Sequence, residues 1–237
     1  MTHDHNHDHS MVHDHRDVQG GAIRAAIFGV SDGLVSNSAL IIGVAAANLS
    51  GGAVLLTGIS GLLAGATSMA AGEFVSMKAQ NELIERELKI EKVSLEENPE
   101  KETKELQAIY MSRGLEKHEA KLLADAIHRN PEVALEVHAR EELGVDPDNI
   151  GNPAKASVSS FSAFSFGAFL PLIPWLFIDG TPAIIVSLFL AIISAAMVGV
   201  ILANFTERSK FTTALRQVIV AVVACGVTSA IGSLFHL

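Results

Sequence analysis

The stretch GVSDGLVSNSALIIGV, residues 29–44, has the apolar content of a membrane-spanning helix and yet carries Asp32. A carboxylate at the centre of a bilayer costs roughly 3 kcal/mol on insertion scales, so such a residue faces protein or water and serves a function. Two readings of Asp32 are open from its neighbours. It can hydrogen-bond Ser31, Ser36 or Asn37 and so hold helices together, or it can hold a cation.

The surrounding chain decides the class. Of 237 residues, 49% are hydrophobic and only 18% charged, against about 25% charged in soluble domains, and the mean hydropathy is +0.35. Apolar stretches at 22–47, 53–77, 155–178, 182–206 and 211–235 are each long enough to cross a ~30 Å hydrocarbon layer at 1.5 Å per residue. The expected fold is an all-α membrane protein of five transmembrane helices, with a small cytoplasmic helical bundle inserted between helices 2 and 3. Residues 1–20 form a His/Asp-rich tail too polar to build a core, expected to be disordered. Helices 1 and 2 occupy 21–77, the insert 78–152, and helices 3 to 5 occupy 153–237. No cleaved signal peptide is expected, and the single cysteine, Cys225, excludes an intramolecular disulfide.

Orientation follows from charge. All 17 Lys and Arg fall on one side of the five-span layout, because the loops ANLSGGA and FIDGTPA contain none. The positive-inside rule assigns that side, with the N-terminus and the insert, to the cytoplasm and the C-terminus to the outside. Trp175 in PLIPWLF is expected at the outer interface. The minimal loops point to a prokaryotic plasma membrane.

The insert is charge-dense, with 18 acidic and 11 basic residues. Its helix punctuation is explicit. Asn98-Pro99 and Asn130-Pro131 suit an N-cap followed by the first helical residue, and Gly114 and Gly144 suit C-terminal stops. The second span is expected to run on to about Leu95, followed by helices near 99–112, 115–129 and 131–143.

The polar residues suggest metal chemistry. Met69, Glu73 and Met77 lie at i, i+4, i+8 and share one helix face. Asp32 and Met69 lie at similar depths on consecutive antiparallel helices, where a carboxylate and a thioether would suit a transition ion over Mg2+ or Ca2+; alternatively Met69 is core filler. In the insert, Glu87 and Glu91 are spaced i,i+4, Glu102 and Glu105 i,i+3, and His138 precedes Glu141 and Glu142 by three and four residues. These groups read either as a convergent metal site or as a solvated acidic face. The tail offers His3, His5, His7, His9, His13 and His15 among aspartates, a weak and adaptable metal-capture segment or an incidental leader. Gly29 and Gly33, and Gly58, Gly61 and Gly65, form small-residue faces that permit close helix approach.

At this point four motifs resemble the vacuolar iron transporter (VIT) family of Fe2+ exporters: GVSDGLVSN, GATSMAAGEFVSMKAQ, PEKETKELQAIYMSRGL and VHAREELG. The resemblance spans residues 22 to about 235 and implies a homodimer with its translocation path at the dimer interface. It implies Fe2+ export from the cytosol by proton antiport, with metal bound by Asp32 and Met69 in the membrane and by Glu91, Glu102, Glu105 and residues near His138 and Glu142 in the insert. Two departures bear on metal preference: Ser94 stands where relatives carry a further glutamate, and His138 where some carry methionine. The expectation is therefore a transporter, not an enzyme, with no permanent cofactor. Fe2+ is the expected substrate, with Mn2+, Co2+ or Zn2+ as further ions. Its partners are metal ions, protons, the bilayer and a second copy, and not nucleic acid. Glu73 and Asp32 are expected to carry the coupling proton. The alternatives are a passive divalent-metal channel and a di-iron oxidase or storage protein; the latter lacks the paired Glu-x-x-His motif such sites use.

Overall fold

The computed structural model describes residues 21–147 and 150–235, with side chains from residue 25 onward. The six tail histidines lie outside the described residues. Eight α-helices follow in order: α1 Gly21–Ala46, α2 Gly51–Glu97, α3 Pro99–Ser112, α4 Lys117–Ile127, α5 Pro131–Glu141, α6 Pro153–Phe169, α7 Gly180–Thr206 and α8 Lys210–Leu234. A 3-10 segment, Leu170–Leu176, extends α6. Five of these helices (α1, α2, α6 with its 3-10 extension, α7 and α8) are long and apolar enough to cross a bilayer. The chain is an integral membrane protein, all-α among the described residues.

Helix α1 is the hub and packs against α2, α6, α7 and α8. Lipid tails are as apolar as leucine, so association in the membrane relies on close van der Waals contact and hydrogen bonds rather than on a hydrophobic drive. Small residues supply the contact. A Cβ at Gly33 would strike the Phe164 carbonyl oxygen, and one at Gly167 would strike that of Val30, so α1 and α6 cross backbone to backbone. The buried stripe of α7, Ala183, Ser187, Ala191, Ala195, Gly199 and Ala203, repeats every four residues and serves the same purpose.

Hydrogen bonds supply the rest where α6 gives way to the 3-10 segment. With i to i+3 spacing, the carbonyls of Ala168 and Pro171 would look to the nitrogens of Pro171 and Pro174, which carry no hydrogen. Two other helices provide the missing donors. Asn37 Nδ2 donates to the Ala168 oxygen at 2.7 Å, and Ser187 Oγ donates to the Pro171 oxygen at 2.8 Å. Trp175, near the end of this segment, is only 5% exposed, in a core of Ile41, Ala45, Val54, Leu172 and Ala183, because the proline-bent segment turns it against α1, α2 and α7.

The second span continues without interruption to Glu97, two residues beyond the expected end. Helices α3, α4 and α5 pack on one another, and α3 and α5 pack on the far end of α2. Their punctuation follows the sequence. Asn130 Oδ1 accepts from the Glu132 amide at 3.0 Å, and Gly114 and Gly144 take φ of +103° and +66°, the left-handed region that glycine enters without strain. Asn98 occupies the junction of α2 and α3 but makes no side-chain cap. The apolar core of this bundle is thin: Leu106 is its one large buried apolar residue, beside Ala120, Ala124, Ala134 and Ala139. Three ionisable side chains, Glu91, Glu102 and His138, are buried with them.

The crossing of α1 and α6 yields a stability test. Gly33→Ala should destabilise the folded chain by about 1–3 kcal/mol, the usual cost of overpacking a close contact. Gly226→Ala, where a Cβ meets nothing within 4 Å, should be neutral or stabilising. Thermal unfolding in detergent, followed by size-exclusion, measures both.

Candidate metal centre

The buried polar groups of the insert converge. Glu91 comes from α2, where burial of its face is imposed by α5; His138 and Glu142 come from the last turn of α5, one helical turn apart. One ligand atom from each of Glu91, His138 and Glu142 lies within 4.8 Å of the others. His138 Nδ1 stands 2.9 Å from Glu91 Oε1 and 3.5 Å from Glu142 Oε2. The His138 ring is wholly buried, and neither of its nitrogens nor Glu91 Oε1 has an aligned hydrogen-bond partner. Atoms that approach so closely without sharing a hydrogen are arranged as ligands around a cation are. Two carboxylates and an imidazole make a donor set for a divalent transition ion.

Electrostatics agree with the geometry. Glu91 is pushed up to about 7 from 4.5, first by burial and then by repulsion from Glu142, Glu102 and Glu105, against a lowering by Lys101. This position lies well past the apolar stretch of α2, outside the bilayer. Glu102 and Glu105 stand close enough to act on Glu91 but are themselves engaged by an ammonium. Lys101 Nζ is 3.3 Å from Glu102 Oε1 and 3.7 Å from Glu105 Oε2. Glu102 is buried and Glu105 half-buried.

The remaining expected ligands are placed differently. Glu141 lies outside the convergent group: it is ion-paired with Arg113 of α3, because the turn from position 141 to 142 carries it to another side of α5. Glu87 is half-buried, with Arg86 Nη1 at 3.5 Å. In the membrane, Asp32 is exposed in the single chain, and no hydrogen bond or ion pair reaches its carboxylate among the described residues. Ser36 Oγ donates to the Asp32 backbone oxygen, at 2.6 Å, and not to the side chain. Phe28, Asp32, Ser36 and Leu40 thus form an exposed stripe at four-residue intervals. Gly61 faces Asn37 and Leu40, and Gly58 faces Ile41; this antiparallel register carries Asp32 level with Thr67 to Met69. Met69 itself packs against Ala66, Phe164 and Ala168, and Met77 packs against Gly151. Glu73 lies half-buried on the stripe between them.

One neighbour of the centre was not singled out from the sequence. His128, at the end of α4, meets the His138 ring edge to face with centroids 5.2 Å apart. Its only sequence signal is that it shares the turn with the Asn130-Pro131 cap.

The raised Glu91 value fixes a pH response. A carboxyl whose folded value lies above 4.5 takes up a proton more readily in the folded chain, so the metal-free insert loses stability as pH rises from 4.5 to about 7 and no further above it. A metal must displace that proton. Mn2+ binding should therefore weaken about tenfold per pH unit below 7, with one proton released per ion. Calorimetry in buffers of differing ionisation enthalpy checks the proton count, and Glu91→Gln should remove this proton from it along with most of the affinity.

Comparison with known proteins identifies the family. A profile of the VIT family matches residues 23–233. The chain is similar to Vacuolar iron transporter 1 of Eucalyptus grandis, with 33% identity over 210 residues that cover 86% of this chain and 83% of the relative. It is 32% identical to Vacuolar iron transporter 1 of Arabidopsis thaliana, over 86% of this chain and 82% of the relative. It is 37% identical to the Vacuolar iron transporter of Acanthamoeba castellanii over a shorter stretch, 65% of this chain and 55% of the relative. With the match running from the first membrane helix to the last, the chain belongs to the VIT family.

Proposed function

We propose that this protein is a transporter, not an enzyme, that exports Fe2+ from the cytosol in exchange for protons, with Mn2+, Co2+ and Zn2+ as further ions. The relatives are named for iron transport, and metal transport is the activity their names support here. The observation that carries the finer reading is Asp32, a carboxylate within an apolar span, exposed on a stripe with Phe28, Ser36 and Leu40. Left in lipid it would cost roughly 3 kcal/mol. A second copy packed on the same stripe would remove that cost and bring two Asp32 side chains, level with Met69, onto one path. The chain then works as a homodimer.

On this reading the insert collects the ion at Glu91, His138 and Glu142, with Glu102 and Glu105 adding negative potential once Lys101 yields them. Asp32 passes it through the membrane with Met69 nearby, and Asp32 or Glu73 takes the returning proton. The tail histidines raise the local metal concentration without fixed geometry. The distribution of Lys and Arg supports a cytosolic insert and N-terminus. The sequence suggested a prokaryotic plasma membrane, whereas the relatives are named for a vacuole; export from the cytosol has the same direction in either.

Flux in proteoliposomes tests the whole scheme. Asp32→Asn keeps shape and hydrogen bonding but removes the charge and the titrating proton, so metal uptake should fall at least a hundredfold in a variant that still inserts and dimerises. Wild-type uptake should be accompanied by proton counterflow, read with a pH-sensitive dye. Metal flux with no proton movement would make the protein a passive channel, and near-normal flux in Asp32→Asn would reduce Asp32 to helix glue.

A further inference from the structure

The insert holds a second imidazole, half-buried, beside His138. His128 Nδ1 lies 2.9 Å from the Ala124 carbonyl oxygen. A carbonyl only accepts, so this nitrogen carries the hydrogen, and in the neutral ring the free lone pair is on Nε2. That Nε2 is buried and has no hydrogen-bond partner. Such an atom is costly to bury unless something meets it. His138, wholly buried, has an unpartnered Nε2 of its own. The two rings stand at 89° with centroids 5.2 Å apart. Two imidazoles bound to one ion at ~2.0–2.1 Å, roughly 90–110° apart around it, have centroids about 4.5–5.3 Å apart. His128 also lines a cavity of about 500 Å3 together with Lys92, Glu96 and Glu132.

We propose that His128 and His138 form a second metal position in the insert, ligated through their Nε2 atoms, that takes nitrogen-preferring divalent ions such as Zn2+, Co2+ and Ni2+. It rests on the reading that the insert collects metal. His128 is outside the group that converges on Glu91 and Glu142, so it does not simply complete that centre. A neutral imidazole has one lone pair. An ion on His138 Nε2 requires the ring hydrogen on Nδ1. An ion between Glu91 and Glu142 requires the hydrogen on Nε2 instead. The two positions therefore exclude each other. The carboxylate-rich one suits Mn2+ and Fe2+, and the imidazole pair suits ions further along the series.

The test uses the full chain in detergent with Co2+, read by its visible spectrum, Zn2+ by competition, and Mn2+ by electron paramagnetic resonance. The tail histidines are common to every variant and cancel in the differences. His128→Phe keeps the ring packed on His138 and removes the nitrogens; His128→Gln is the second variant, polar and smaller. Both should weaken one class of Co2+ and Zn2+ binding tenfold or more, alter the Co2+ spectrum, and leave Mn2+ affinity within twofold. Glu142→Gln should do the reverse. Co2+ affinity and spectrum unchanged in both His128 variants would overturn the proposal, as would an equal loss for Mn2+ and Co2+, which marks a purely structural role. Mn2+ binding indifferent to Glu91→Gln and Glu142→Gln would sink the carboxylate centre instead, and is read independently of the His128 result.

Discussion

The backbone contact of α1 with α6 decides how everything else in the membrane is disposed. Gly29 and Gly33 lie against Ala163 and Phe164, so that face of α1 is committed to packing. At 100° per residue, Asp32 lies about 60–100° around the helix from these glycines. A closely packed α6 therefore holds the carboxylate away from the inside of the single chain and onto the stripe with Phe28, Ser36 and Leu40. Larger residues at the crossing would push the helices apart, and the direction of Asp32 would no longer be specified. Thus four small residues (Gly29, Gly33, Ala163 and Gly167) set the orientation of a group that none of them resembles chemically.

The insert solves a different problem with different means. Its buried apolar content is one leucine and a handful of alanines, too little to hold three short helices firmly to the end of α2. Into the same core it places Glu91 and Glu102, which repel, and a histidine without hydrogen bonds. A cation among these groups would relieve their repulsion and so order such a core. Lys101, reaching back to Glu102 and Glu105 from the same helix, offsets part of the repulsion without filling the place between Glu91, His138 and Glu142.

Much of this was legible in the residues because the signals are local. Apolar length reveals the spans, and the Asn-Pro pairs with Gly114 and Gly144 reveal where the insert's helices begin and end; none depends on what lies across the fold. The burial of Trp175 was not legible, because it depends on two prolines that tighten the chain into a 3-10 segment and on α1 and α7 closing over it. Glu141 and Glu142 are adjacent in sequence and equal in chemistry, yet Arg113 of another helix claims the first. His128 gave no warning at all, since its significance depends on a ring from α5 that periodicity cannot place. Spacing along one helix shows which side chains share a face, not what stands opposite.

The uninterrupted length of α2 has a mechanical consequence. Forty-seven residues without a proline or a break make a rod of about 70 Å, with Met69 in the bilayer and Glu91 about 33 Å further along the same axis. The end of that rod is a lever arm. A tilt of only about 5° within the membrane sweeps Glu91 sideways by roughly 3 Å, more than a metal–ligand bond length. Any rocking of the membrane helices is thereby magnified at Glu91, and a cation clamped between α2 and α5 pulls on the same rod from its long end.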